Sequence, residues 1–256
     1  MEYSWMVKYV TEFIGTALLI ILGNGAVANV ELKGTKAHGQ SWMIIAWGYG
    51  LGVMLPAVAL GNVSAQINPA FTLGLAVSGL FPWAHVAQYI IAQLLGAMVG
   101  QLLVVMVYRP YYLKTTSPNS ILGTFSTIDN VDDNTAEIHG KALVNGVLNE
   151  LLGSFILFFG AMGILQLVGT DAGAHTIGMV VLGLLVLVLV ASLGGPTGPG
   201  LNPARDLGPR IIHALLPKSV LGDSKGPSKW WYAWVPSVAP IVAAVLAVAI
   251  FKLIFM

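Results

Sequence analysis

Residues 194–210 read GGPTGPGLNPARDLGPR, and residues 61–70 read GNVSAQINPA. Both stretches carry Asn-Pro-Ala, at Asn68-Pro69-Ala70 and Asn202-Pro203-Ala204. Asn is a strong helix N-cap, and Pro suits the first helical turn because it has no N–H to leave unsatisfied. Each motif therefore predicts a helix start, with non-helical chain before it over 61–67 and 194–200. The first helix runs to about Gly79 and the second to about Leu216, just before Pro217. At 1.5 Å per residue each covers roughly 16 Å, about half the hydrocarbon thickness of a bilayer. Neither spans alone, but two half-helices entering from opposite sides, N-terminus to N-terminus, make one composite span. Irregular backbone at that depth is tolerated only where protein or a water-filled cavity satisfies it, so its free carbonyls are available to line a pathway.

The paired motif belongs to a longer repeat. Residues 11–20 read TEFIGTALLI and residues 149–158 read NELLGSFILF, so Glu12 matches Glu150 and Gly15 matches Gly153. The offset is 138 for this pair and 134 for the Asn-Pro-Ala pair, nearly the same spacing. Three spans per half force the second copy to run upside down, and inverted repeats put a functional site at the bilayer midplane where broken helices meet. A carboxylate inside a span is expensive and finds donors in the protein. Glu12 and Glu150 at matched positions therefore read as braces of irregular backbone; the competing reading is interfacial residues near helix ends.

Composition supports a bilayer as solvent. The 256 residues include 12 Lys+Arg and 11 Asp+Glu, 9% charged against roughly 25% in soluble domains. The hydrophobic share is 56% and the mean hydropathy +0.80. A soluble globule could not hide that much apolar surface, and disorder is excluded by the same numbers. The net charge of +1 gives no reason to expect a nucleic-acid partner. With no Cys there is no disulfide framework and no Cys-based metal site or nucleophile, and no cofactor is implied. Uncharged runs cover 13–30, 37–108, 151–170, 172–204 and 230–251. They predict six spans, near 8–29, 41–60, 84–108, 141–168, 175–194 and 231–254. The stretch 109–140 collects Arg109, Lys114, Asp129, Asp132, Asp133 and Glu137 and reads as an aqueous loop, as does 217–229. Lys8, an apolar run and Ala26-Val27-Ala28 could be a signal peptide, but Glu12 lies inside the run and the pattern recurs in mid-chain.

These residues resemble the aquaporin or major intrinsic protein family, over essentially the whole chain. The resemblance implies an all-α membrane protein, six transmembrane helices plus two half-helices in an inverted repeat. It makes 1–256 a single channel domain, with a first repeat over 1–108, an extracellular loop over 109–140 and a second repeat over 141–256. Asp206 directly after Arg205 is similar to the glycerol-facilitator branch, and Gly194–Leu201 to its aquaglyceroporins from lactic-acid bacteria. One departure is Val63-Ser64-Ala65-Gln66-Ile67, where Gln66 replaces a His usual in the family, which puts any pH gate based on that His in doubt.

The family's narrowest point uses four positions. Arg205 carries over directly; it is permanently charged, with five donors in a planar fork. Its other reading is a buried ion pair with Asp206. Pro199 stands where water channels have a small residue and glycerol facilitators an aromatic one, and Val190 where water-selective members have His. Counting back from Asn68 reaches Gly48; a one-residue shift gives Tyr49, taken by similarity to the lactic-acid-bacterial members, or Trp47. The resulting filter of Tyr49, Val190, Pro199 and Arg205 donates hydrogen bonds on one side and is apolar elsewhere. That suits glycerol, water and other small uncharged solutes, among them dihydroxyacetone, hydrogen peroxide, urea and protonated lactic acid, passing through a passive channel that excludes ions and protons. The resemblance further implies a homotetramer in the lipid bilayer of a bacterial plasma membrane, with both termini cytoplasmic. That topology sets Lys33, Lys36, Arg109, Lys114, Lys218, Lys225 and Lys229 outside, against the positive-inside rule. A secondary transporter is the competing function, since it too uses inverted repeats and broken helices, but the central pair is two neutral Asn. An intramembrane enzyme has little support, with no Cys and no Ser visibly paired with a His in the sequence. His85, His175 and His213 lie near ends of separate helices and read as interfacial. Gly96 and Gly100 permit close helix contact, within the bundle or between subunits.

Overall fold

A computed structural model of the chain describes residues 3–131, 136–168, 172–198 and 200–256. Those residues form helices and no strand. In chain order they are α1 (Trp5–Glu31), α2 (Met43–Leu60), α3 (Pro69–Val77), α4 (Val86–Tyr112, entered through a 3-10 turn at Trp83–His85) and α5 (Pro118–Gly123). The second half holds α6 (Ala136–Val168), α7 (Ala172–Thr197), α8 (Pro203–Leu215), α9 (Lys218–Leu221) and α10 (Val235–Phe255). Six of them, α1, α2, α4, α6, α7 and α10, are long and apolar enough to cross a membrane, and α3 and α8 are the two half-helices.

The pattern on each long helix is that of a protein dissolved in lipid. Helix α1 turns Thr11, Glu12, Thr16 and Asn24 inward and leaves Met6, Val10 and Ile14 exposed. Helix α10 buries Ala239, Ala243, Ala244 and Ala247 and exposes Val238, Val242, Leu246 and Ile250. Lipid tails are as apolar as Leu, so association rests on close packing of small residues and on buried hydrogen bonds. The Gly-x-x-x-Gly of α4 serves this inside one chain. A Cβ on Gly96 would strike the Phe13 carbonyl oxygen, and one on Gly100 would lie 2.6 Å from that of Ala17.

The helix contacts follow the inverted repeat. Helix α1 packs on α4 and α2, α6 on α10 and α7, and α2 joins the halves by packing on α7. Each half-helix lodges against the last long helix of the other half, α3 on α10 and α8 on α4. Both half-helices begin as the Asn-Pro pairs predict: Asn68 and Asn202 have the same extended backbone (φ −155°, ψ 113° and φ −156°, ψ 112°) with Pro next.

Three expectations are corrected. The stretch before Asn202 is not non-helical from 194, because α7 continues through Gly194-Gly195-Pro196 to Thr197. The 109–140 stretch is shorter and less aqueous than its charges suggest, because α4 continues through Arg109 to Tyr112 and α6 starts at Ala136. Between them Ile121, Leu122 and Phe125 are buried, with Ile121 and Phe125 packed among Val104, Val105, Ile212 and Leu221. The charges sit at the two ends of a segment whose middle is apolar. His213 is not interfacial but fully buried, its Nδ1 2.7 Å from Ser228 Oγ and its ring edge-on to Phe125. His85 stacks on Trp5 with Nδ1 2.6 Å from the Tyr9 hydroxyl.

Candidate functional site

The two loops before Asn68 and Asn202 are held by the two buried glutamates. Glu12 Oε1 accepts from Ser64 Oγ (2.5 Å) and Gln66 N (2.7 Å), and Oε2 from Ile67 N (2.7 Å) and Gln93 Nε2 (2.8 Å). Glu150 repeats the core of this, with Oε1 accepting from Gly200 N (2.6 Å) and Oε2 from Leu201 N (2.8 Å). The residues so held are strained: Ile67 has φ 44° and Leu201 φ 53°, a region costly for any side chain and most for a β-branched one. A Cβ on Gly15 would lie 2.7 Å from Ile67 Cγ2, and one on Gly153 2.8 Å from Leu201 Cδ2. Glu-x-x-Gly is thus one device. The carboxylate fixes two successive N–H groups, and the glycine one turn on, on the same helix face, makes room for the side chain that follows.

The left-handed turn swings the carbonyls of Ile67 and Leu201 toward the opposite half. Ile67 O accepts from Asn202 Nδ2 (2.7 Å) and Leu201 O from Asn68 Nδ2 (2.9 Å). Each Asn Oδ1 caps its own helix, accepting from Ala70 N and from Ala204 N, both at 3.0 Å. An Asn amide has two N–H donors, so each keeps one for whatever lies between the half-helices.

Four cavities follow one another along the axis. An outer one of about 210 Å³ shares Tyr49 and Arg205 with a small one of about 50 Å³. That one shares Asn68 and Asn202 with a third of about 70 Å³, which shares Gln66 and Phe71 with an inner one of about 350 Å³. The non-helical chain lines them, at Gly198, Gly200 and Leu201 on one side and Ala65 and Gln66 on the other. Glu12 and Glu150 line none of the four, their oxygens turned to the loops behind.

Tyr49 and Arg205 stand at the step from the wide outer cavity to the narrow one. Arg205 is 3% exposed; Nη1 donates to Phe125 O (3.2 Å), Nη2 donates to the Tyr49 hydroxyl, and the guanidinium carbon lies 4.9 Å from the Tyr49 ring centre. Its Nε is buried and has no hydrogen-bond partner among the described residues. Val190 lines the same narrow cavity, and its carbonyl accepts from Trp42 Nε1 (2.8 Å). Trp47 points out of the bundle, 48% exposed, and Pro199 lies outside the described residues. Asp206 does not pair with Arg205. It holds Arg210 (Nε to Oδ1 2.8 Å) and accepts from Thr127 N (2.7 Å) and Oγ1 (2.8 Å). It therefore anchors the segment that delivers the Phe125 carbonyl.

Reasoning from sequence missed Phe125, Trp42, Asn24 and Gln101. The Phe125 carbonyl carries no side-chain signal at all. Asn24 and Gln101 did carry one: each is an amide inside an otherwise apolar span, and such a group needs partners in the protein.

The sequence matches the family model described as Major intrinsic protein over residues 2–251. It is 65% identical to the glycerol facilitator-aquaporin gla of Lactococcus lactis subsp. cremoris, with 100% of both chains covered. It is 41% identical to a probable glycerol uptake facilitator protein of Thermotoga maritima, over 98% of this chain and 100% of the other. Among solved structures it is similar to the aquaglyceroporin from Plasmodium falciparum, with TM-score 0.76, 28% identity, and 98% and 97% of the two chains covered.

Proposed function

Because this chain belongs to the major intrinsic protein family, whose members are passive channels and not enzymes, we propose that it conducts glycerol down its gradient across a bacterial plasma membrane. The observation that carries this is the shared wall of Tyr49 and Arg205 between the outer and the narrow cavity, with the Asn68 and Asn202 amides directly beneath. A three-carbon polyol has hydroxyls along one edge and CH groups along the other. The free N–H groups of Arg205 meet the first, and Val190 with the Tyr49 ring face meets the second. Water, dihydroxyacetone, hydrogen peroxide and protonated lactic acid present the same combination of acceptor oxygen and small size, and belong to the proposed set. Cations do not. Arg205 repels them, and among the described residues no carboxylate lines the two narrow cavities to replace their hydration.

Tyr49, Val190, Pro199 and Arg205 form the proposed filter, Asn68 and Asn202 the central pair, and Glu12 and Glu150 the loop braces. A homotetramer with cytoplasmic termini goes with this reading. Stopped-flow light scattering of proteoliposomes, run with glycerol and then with the other solutes, tests it. Shrink-and-recover kinetics faster than in protein-free vesicles are expected for glycerol, and identical kinetics in both would refute the reading.

A further inference from the structure

Arg205 donates through every nitrogen and accepts through none. Its contact with the Tyr49 hydroxyl therefore requires that hydroxyl to present a lone pair, with its proton directed elsewhere. The structure supplies the place: the Tyr49 hydroxyl donates to Asn24 Oδ1 at 2.5 Å. Asn24 is fully buried on α1, and its Nδ2 donates to Gln101 Oε1 on α4 (2.6 Å) and to Phe125 O (3.2 Å). The Phe125 carbonyl is an acceptor only, which gives the amide one satisfactory orientation, and Gln101 matches it by presenting Oε1. Turned over, it would set Oδ1 against two oxygens and Nδ2 against a hydroxyl that must already accept from Arg205. Phe125 O, in turn, accepts from Asn24 and from Arg205 Nη1, using both lone pairs.

We infer that Asn24 and Gln101 are positioning residues for the filter, a conclusion that rests on the channel reading above. Gln101 orients the Asn24 amide. Asn24 then fixes both acceptors that hold the guanidinium, the Tyr49 hydroxyl and the Phe125 carbonyl. Two of the four Arg205 Nη hydrogens are spent on those acceptors, which holds the remaining two in a constant direction toward solute. A polyol, which must match several donors at once, depends on that direction. A water molecule, with one oxygen, adapts to a guanidinium that turns.

The test is the ratio of glycerol to water permeability in proteoliposomes, which does not depend on how much channel inserts. Asn24→Leu, close to Asn in size, is expected to lower the ratio about threefold, the scale of one ordinary hydrogen bond. Gln101→Met is expected to lower it in the same direction, and serves where Asn24→Leu does not fold. In a Tyr49→Phe background, where the hydroxyl is gone, Asn24→Leu should shift the ratio by half as much or less on a logarithmic scale. An unchanged ratio in both single variants, or an equal shift in both backgrounds, overturns the inference. Absence of glycerol flux in wild-type vesicles would instead defeat the channel reading, before any variant is compared.

Discussion

Ile67 and Leu201 keep a left-handed backbone because two carboxylates hold the two successive N–H groups that lead into the bend. Replacing Glu150 by Gln turns one acceptor into an NH₂ facing a backbone N–H, and replacement by Leu removes both acceptors. Each buried N–H left without a partner costs about 1–3 kcal/mol. Thermal unfolding in detergent should rank wild type above Glu150→Gln and that above Glu150→Leu, and a reversed order would contradict the brace. At the proposed filter, Arg205→Val should raise proton or small-cation leak while neutral solutes still pass, read with a pH dye in liposomes. Val190→Trp should cut glycerol flux more than water flux, because Val190 walls a cavity of only about 50 Å³; equal losses would place Val190 away from the constriction. Of these residues, Arg205 and both Asn were legible because their chemistry lies next to a helix start in the chain. Within the sequence only resemblance separates Tyr49 from Trp47. The two are two residues apart on one helix, and only one faces Arg205.

Helices α3 and α8 meet N-terminus to N-terminus, each end carrying about half a positive charge. In the proposed pore the spare N–H groups of Asn68 and Asn202 would donate to a passing oxygen, whose hydrogens would then point away along the axis. A water so held could not accept from its neighbour, so the file along which a proton would hop would be interrupted, and the positive field would repel hydronium independently. Asn68→Asp sets a carboxylate in that field and should produce a measurable cation current, whereas Asn68→Ala should produce little, with glycerol flux reduced in both. Equal and negligible currents in both variants would remove the field as the dominant barrier. Both half-helices could be read from Asn-Pro alone because a helix cap is a local interaction. The short helix α5 has the same kind of start, Ser117-Pro118, with Ser117 Oγ accepting from Ser120 N at 3.1 Å. It went unread because the charges flanking it, from Arg109 to Glu137, dominate the composition of the stretch. The relay from Gln101 through Asn24 to Tyr49 joins α4, α1 and α2, and no spacing within one helix reports it.

The whole molecule is two inverted halves, and residues 113–131, which follow α4, pack over the end that holds the cavity of about 210 Å³. Asp206 and Arg210 clamp that segment through Thr127, with Arg210 Nη2 donating to Thr127 O (2.6 Å) and Nη1 to Ser228 O (2.7 Å). Arg210→Met leaves Asp206 buried without its cation, and breaking such a pair costs about 3–5 kcal/mol. A large fall in thermal midpoint is expected, and a midpoint unchanged from wild type would contradict the clamp. The excess of Lys and Arg assigned to this side also gains a physical reason. Lys225 Nζ caps the end of α8 at Leu216 O (2.5 Å), Arg109 Nη2 reaches Ser219 O in α9 (3.4 Å), and Lys229 is buried. Burial, with Lys218 nearby, holds the Lys225 ammonium below its ordinary range. These cations complete helix ends and loops, work that a count of loop charges does not register. What separates a passive pore from a transporter built on the same inverted plan is the form of the flux. Initial rates of labelled glycerol entry into proteoliposomes, measured to high concentration with all ion gradients collapsed, decide it. Rates that rise linearly with the gradient and never carry glycerol uphill are predicted; saturation, or uphill uptake when a proton or sodium gradient is imposed, would contradict the channel.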